Sequence, residues 1–198
     1  MNILFFDTET TGLVKDWDNP GSAYNPRMVQ IGLLLCSDSG RVLHTMGTMI
    51  LPEGFEIPPV VENIHGISTE MATKHGLNLN DVLDVFMDLI TSADLLVAHN
   101  LKFDRCVIEG ELIRANKCAC LDIKTYCTML NTTDICMLPS KRNGYKWPKL
   151  SEAYQHFFKI PLEDAHDALT DVLACKRIFF EGLHNPARTM DSLVASVI

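Results

Sequence analysis

The chain predicts an α/β fold on a mixed five-stranded sheet, with three antiparallel strands first, parallel strands later, and helices on the flanks. Three observations carry this reading. Three short β-prone apolar runs precede any long helix, the later runs alternate with segments of helical period, and turn formers separate them. With 198 residues, 47% of them hydrophobic, the chain is long enough for one domain with a full core.

Ile3 to Phe6 is an unbroken apolar run, as a strand buried on both faces would be. It ends in acid. Asp7 and Glu9 are two apart, so both carboxylates leave one face of the strand at its carboxyl end. Crowded carboxylates repel unless a cation lies between them, which makes a metal site the economical reading. A solvated strand end with Gly12 in a turn is the plainer alternative. Lys15 to Arg27 is polar and rich in turn formers, a loop beside that end, read either as a lid that restricts substrates or as a surface excursion. Met28 to Cys36 and Arg41 to Leu51 are β-prone and joined by Ser37-Asp38-Ser39-Gly40, which completes an antiparallel meander.

Ile57 to Ser68 holds Pro58-Pro59 and a short helical turn. From Asn80 to Ile90 the apolar residues Val82, Leu83, Val85, Phe86, Leu89 and Ile90 recur at helical spacing, with Asn80 or Asp81 as the cap. Leu95 to Ala98 is the next buried strand. From His99-Asn100 a helix runs to about Ala115 and carries Asp104 one turn in. A short strand at Cys120 to Ile123 and a helix at Thr125 to Leu130 follow. Ser151 to Phe158 is expected as a helix capped by Ser151, with Ala153, Tyr154, Phe157 and Phe158 as its apolar stripe. The last helix, about Asp167 to Leu183, buries Leu169, Val172, Leu173, Ile178 and Phe179. Residues 1–183 make the domain and 184–198 a tail whose turn signal is Asn185-Pro186.

Composition narrows the classes. No 18-residue apolar span occurs and no basic segment precedes the first apolar run, so neither a membrane helix nor a signal peptide is expected, and the reading is of a soluble intracellular protein. Seven cysteines, an odd number scattered through expected strands and helices, suit buried thiols in a reducing compartment. Cys118-x-Cys120 with Cys127 lacks the paired CxxC or nearby HxxxH of zinc sites, so zinc is not expected there. A net charge of −8 argues against gripping a duplex along its length, but not against taking in one strand end through a local positive funnel. Lys141 to Lys149 is the one dense basic stretch, with Tyr145 and Trp147 interleaved. It reads as a solvated loop or as a contact for substrate phosphates and bases.

Three segments stand in order: Asp7-x-Glu9, His99-Asn100-Leu101-Lys102-Phe103-Asp104, and His166-Asp167-Ala168-Leu169-Thr170-Asp171. As a set they resemble the three motifs of the DEDDh family, the DnaQ-like 3′ to 5′ exonucleases, over roughly residues 1–183. The resemblance implies a ribonuclease H-like fold, whose meander followed by strand-helix units agrees with the order above. It also implies two Mg2+ ions, with Mn2+ expected to substitute, held by oxygen ligands from several elements. Asp7 would bridge both ions, Glu9 and Asp171 would help hold the one carrying the attacking water, and Asp104 would hold the second through water. His166 is the implied general base, five residues before Asp171 at the family's His-x-x-x-x-Asp spacing. An ordinary imidazole, with a pKa of about 6.5, is mostly neutral at physiological pH yet able to take a proton. Asp167, at a helix start, reads as a cap or first-turn acid.

By the same resemblance Thr8, Thr11 and Leu13 match positions that contact the terminal nucleotide, the leucine wedging against its base. Glu62 and His65 match contacts to the substrate end, and Asn100 and Phe103 would line the same pocket. A turn role is the alternative for Thr8, and core packing for Leu13 and Phe103, preferred for Phe103. The implied activity is hydrolysis of single-stranded 3′ ends to nucleoside 5′-monophosphates, with DNA favoured. Trimming of RNA or oligoribonucleotides is the alternative on substrate, because 2′-hydroxyl contacts depend on pocket geometry. An inactive exonuclease-like binding module is the alternative of another class, and the presence of Asp7, Glu9, Asp104, Asp171 and His166 together argues against it. A proofreading subunit would need a DNA polymerase partner, for which only Met190 to Ile198 offers a docking segment. A stand-alone nuclease suits the sequence equally.

Overall fold

Strand β1 (Asn2–Thr10) lies at the centre of the sheet because both of its faces are apolar. Leu4 and Phe6 enter one core with Val82, Leu83, Phe86, Val107 and Leu112, while Ile3 and Phe5 enter another with Val172, Cys175 and Phe179. β2 (Met28–Ser37) pairs antiparallel with β1, and β3 (Val42–Met49) antiparallel with β2. The joining turn closes through Gly40 N–H to the Ser37 carbonyl at 2.9 Å, with Gly40 at φ +80°, where glycine pays no Cβ penalty. The computed structural model describes residues 1–141, 143–163 and 165–184.

Two short helices follow, α1 (Pro59–His65) and α2 (Thr69–His75), then α3 (Leu79–Ser92). β4 (Leu95–Ala98) joins β1 in parallel register, Phe5 opposite Val97. Next come α4 (Leu101–Arg114), β5 (Lys124–Cys127) parallel to β4, α5 (Thr128–Cys136), α6 (Leu150–Phe158) and α7 (Ala168–Arg177). The sheet order is β3-β2-β1-β4-β5, with α3 and α4 on one face and α7 on the other. The mixed five-stranded sheet is therefore as expected. Among the described residues no helix is long and apolar enough to cross a membrane.

Several local expectations are corrected. The strand expected at Cys120 to Ile123 lies instead at Lys124–Cys127, and the helix expected at Thr125 to Leu130 spans Thr128–Cys136. Leu121 is apolar because it enters the α4-side core as coil, not because it pairs with β4. Helix α3 is capped by Asn78, whose Oδ1 accepts from Asn80 N–H at 2.8 Å, rather than by Asn80 or Asp81. α6 starts one residue before Ser151. Glu152 accepts from Lys149 N–H at 2.8 Å and so replaces a serine cap. Helix α2 was not expected. The last helix changes to π-helical winding over Ile178–Leu183. Of the cysteines, Cys36, Cys106, Cys136 and Cys175 are buried, but Cys118 and Cys120 are exposed because they fall in the coil between α4 and β5. The tail expected from 184 lies outside the described residues beyond His184, as does Arg142 of the basic stretch.

Helix α7 approaches the sheet closely at Gly32. A Cβ there would sit 2.3 Å from the Ala168 carbonyl oxygen, so glycine is required for the helix backbone to cross β2. Gly32 is the register partner of Asp7, and this crossing sets how near α7 comes to the end of β1. Gly32→Ala is expected to destabilise the fold by about 1–3 kcal/mol through overpacking. It should appear as a lower urea midpoint at unchanged m-value, and an unchanged midpoint would show that α7 shifts freely.

Candidate active site

The alternation of β1 divides its last residues between two helices. Asp7 and Glu9 share the parity of Ile3 and Phe5 and so face α7, while Thr8 shares that of Phe6 and faces α4. Asp104, one turn into α4 and buried, meets Thr8 there. Its Oδ1 accepts from the Thr8 backbone N–H at 3.1 Å and the Thr8 hydroxyl at 2.8 Å. Asp171, in the first turn of α7, comes down on the other side with one carboxylate oxygen accepting from His166 N–H at 3.3 Å. Its other oxygen, Oδ1, is buried with no hydrogen-bond partner among the described residues. Ligand atoms of Glu9, His166 and Asp171 lie within 4.8 Å of one another.

These carboxylates perturb each other. Burial, then the charges of Asp104, Asp171 and Glu9, push the Asp7 carboxyl well above its ordinary range. Burial and the neighbouring acids push Glu9 to about 8. Burial lifts Asp104 to about 7 against the lowering effect of the Thr8 bonds, and lifts Asp171 to about 6 against the pull of His166. Acids raised together, one with an orphaned buried oxygen, are what an oxygen-ligated divalent cation would relieve. The donor set is thus a fit for Mg2+ or Mn2+.

Asp167 behaves differently. Burial raises its carboxyl, but donation from Thr170 N–H at 2.9 Å and from Gln30 Nε2 at 2.8 Å outweighs this and holds it below its ordinary value. It caps α7. Gln30 also accepts from Ala168 N–H at 3.0 Å, so one β2 side chain grips both groups at the start of the helix that carries Asp171. Sequence reasoning missed Gln30, although a lone polar residue inside the apolar run Met28 to Cys36 was the available signal. His166 is exposed, in the turn before α7, at φ +77°, a left-handed conformation sparsely used by residues other than glycine.

The other expected contacts fall around this centre in different ways. Thr8 is buried with its hydroxyl on Asp104, so what it does in the structure is position a carboxylate. The Thr11 hydroxyl accepts from Arg27 N–H at 2.9 Å and ties the base of the 15–27 loop. Leu13 is 78% exposed, three residues beyond the end of β1. His65, on α1, accepts from Ile67 N–H at 3.1 Å through Nδ1, which leaves the proton of its neutral ring on Nε2. Its pKa is lowered, by burial first, and it feels the charges of Glu62 and His166, so α1 reaches the same site. Asn100 stands at φ +76° before α4, and Phe103 packs against the α4-side core.

The 15–27 loop is held by two residues that sequence reasoning did not single out. Asn25 Oδ1 accepts from Lys15 and Asp16 N–H groups, and its Nδ2 donates to the carbonyls of Asp16, Asn19 and Pro20. Glu111, fully buried on α4, accepts from Arg27 Nε at 2.9 Å and from Met28 N–H at 2.9 Å. The loop is therefore packed on α4 in an ordered shape.

A mixed sheet in this order, with carboxylates at the end of its central strand, defines the ribonuclease H-like architecture of DnaQ-like, DEDDh-type exonucleases. The chain belongs to the exonuclease family whose model, RNase T, matches residues 4–179. Among known sequences it is 27% identical over 177 residues to an uncharacterized exonuclease, CP81, of Escherichia phage 186, covering 85% of this chain and 81% of the phage protein. Among solved structures, E. coli exonuclease I in complex with a dA16 oligonucleotide matches with a TM-score of 0.73 at 19% identity. The zinc-bound form of its single-stranded DNA complex matches with a TM-score of 0.70 at 22% identity. Both matches cover 98% of this chain but 43% of exonuclease I, so the chain spans less than half the length of that enzyme.

The raised carboxyls set a pH dependence. An unfolded chain releases these protons near the ordinary carboxylate value, at about pH 4, whereas the folded, metal-free protein keeps them until about pH 6 to 8. Their contribution to stability is therefore present at low pH and lost as pH rises through that window. The metal-free thermal midpoint should fall between about pH 5 and about pH 8, and Mg2+ should restore it more at the higher pH, where it competes with fewer protons. Equal Mg2+ shifts at both pH values would refute the cluster as its binding site. Asp171→Asn should abolish the Mg2+ shift, whereas Asp167→Ala should keep it and cost about 1 kcal/mol as a lost cap. The reverse order would move the ligand assignment to Asp167.

Proposed function

We propose that the chain is a divalent-metal-dependent 3′ to 5′ exonuclease that releases nucleoside 5′-monophosphates from single-stranded ends, with DNA the favoured substrate. The observation that carries this reading is the convergence of Asp7, Glu9, Asp104 and Asp171, from three separate elements, beside an exposed His166 at one end of the sheet. Family membership and the likeness to an oligonucleotide-bound exonuclease fold support it.

Asp7, Glu9, Asp104 and Asp171 are the residues we assign to hold two divalent ions. When bound, such ions supply Lewis acidity at the scissile phosphate, a more acidic attacking water, and charge stabilisation for the leaving 3′ oxygen. Asp7 is placed to be shared, since it interacts with the other three acids. Thr8 orients Asp104 through its two bonds, and the Gln30 grip on α7 orients Asp171. His166 is assigned as the general base. Its ring is near Glu9 and Asp171, yet exposed, so a proton taken from the attacking water can pass to solvent. Leu13 and the α1 residues Glu62 and His65 form the rim against which the terminal nucleotide is placed.

The test is a time course on 5′-labelled single-stranded DNA and RNA of one sequence, with Mg2+, Mn2+ or chelator. A metal-dependent ladder shortening from the 3′ end is expected, faster on DNA. Asp7→Ala should abolish it. His166→Ala should slow it by roughly 10²- to 10⁴-fold while oligonucleotide binding persists. Near wild-type turnover in Asp7→Ala would refute the metal assignment, and a rate within a few-fold in His166→Ala would remove the base.

A further inference from the structure

His99 is a buried histidine with no part in the chemistry above. It lies at the carboxyl end of β4, and continuing the β1–β4 register two residues beyond Phe5 and Val97 brings it level with Asp7, one strand spacing of about 4.8 Å away. Its Nε2 is 3.0 Å from the Pro148 carbonyl oxygen, and its Nδ1 is 2.9 Å from the Thr128 hydroxyl. A carbonyl only accepts, so Nε2 carries the proton and Nδ1 accepts from Thr128. Burial lowers the His99 pKa to about 4, and the ring stays neutral in this one tautomer. The ring is a peg.

What the peg holds is the only dense basic stretch of the sequence. Residues 138–141 and 143–149 form the two sides of a hairpin strap, bridged between Pro139 and Tyr145 and closed by Lys146 N–H to the Leu138 carbonyl at 3.1 Å. Pro148 is buried under it. The neighbouring Trp147 is 65% exposed and Tyr145 46% exposed. Lys141, Lys146 and Lys149 are exposed, and the acid beside them is Glu152, paired with Lys146. An indole turned to solvent from a backbone fixed on both sides is a platform that loses little freedom when something stacks on it.

The position of the strap gives it a direction. α1 flanks the site on the β2–β3 side, where it packs through Val61 beside Val29 and Met49. The strap rims it on the β4–β5 side. β1, which carries Asp7 and Glu9, lies between the two in the sheet, so the strap stands across the acids from α1. We propose that this strap, pegged to the end of β4 by the His99–Pro148 hydrogen bond, seats the nucleotides upstream of the one being removed, with Trp147 stacking on a base and Lys149 facing a phosphate. The inference rests on the nuclease reading above.

The test uses two substrates and a binding signal. Trp147→Ala should raise KM for (dT)12 about tenfold while kcat holds, because one stacked base is lost. Hydrolysis of the p-nitrophenyl ester of thymidine 5′-monophosphate, which has no upstream nucleotide, should stay within about twofold of wild type, since its binding makes no use of that stack. Trp147→Phe, which keeps a stacking face, should recover most of the KM. An unchanged KM for (dT)12 in Trp147→Ala would overturn the proposal. In Trp17→Phe protein, Trp147 is the remaining tryptophan, and its emission should be quenched by (dT)12 but not by thymidine monophosphate in metal-free buffer. Unquenched emission while anisotropy of a labelled (dT)12 reports binding would overturn the strap assignment without any need for turnover. Failure of the nuclease reading would show separately, as absent hydrolysis of both substrates by the wild-type protein.

Discussion

Like charges at the end of a buried strand are the constraint on which this structure depends. Asp7 and Glu9 leave β1 on one face, and the fold then brings Asp104 and Asp171 to them instead of keeping them apart. In the absence of a counter-ion this arrangement costs stability, which is why the carboxyls of Glu9, Asp104 and Asp171 hold protons to about 8, 7 and 6. The apolar cores on both faces of β1 offset that cost. The same strand thus supplies the core and the strain.

Four of the segments around the site are attached by a buried polar group. Thr8 fastens the start of α4 through Asp104, Gln30 the start of α7, Glu111 the 15–27 loop, and His99 the strap around Pro148. Apolar packing alone is indifferent to shifts of a fraction of an ångström along a helix. A buried hydrogen bond is not, because displacing one partner leaves the other unsatisfied at a cost of about 1–3 kcal/mol. Directional contacts of this kind are suited to holding carboxylates at fixed separations.

Around that rigid set the exposed residues are of another sort. His166 in its left-handed turn, Leu13 beyond the end of β1 and Trp147 on the strap are all exposed to solvent. Their backbone is already ordered, so a ligand that met them would have little main chain left to arrange.

The sequence by itself determined the sheet, its order of antiparallel then parallel strands, and the three segments that carry the acids, because these follow from period-two and helical spacing and from short motifs. Asp167 was also readable as a cap, since helix capping is a local matter. Element boundaries near residues 120–130 were not, because Leu121 is apolar for reasons of tertiary burial while the true strand is defined by pairing with β4. Nor could the roles of Gln30, Glu111 and His99 be read, as each bonds a residue 29 to 138 positions away along the chain. Spacing records what one element does with its own neighbours. Which polar side chain meets which distant backbone group is decided only when the helices cross the sheet, and those meetings set the shape of the site.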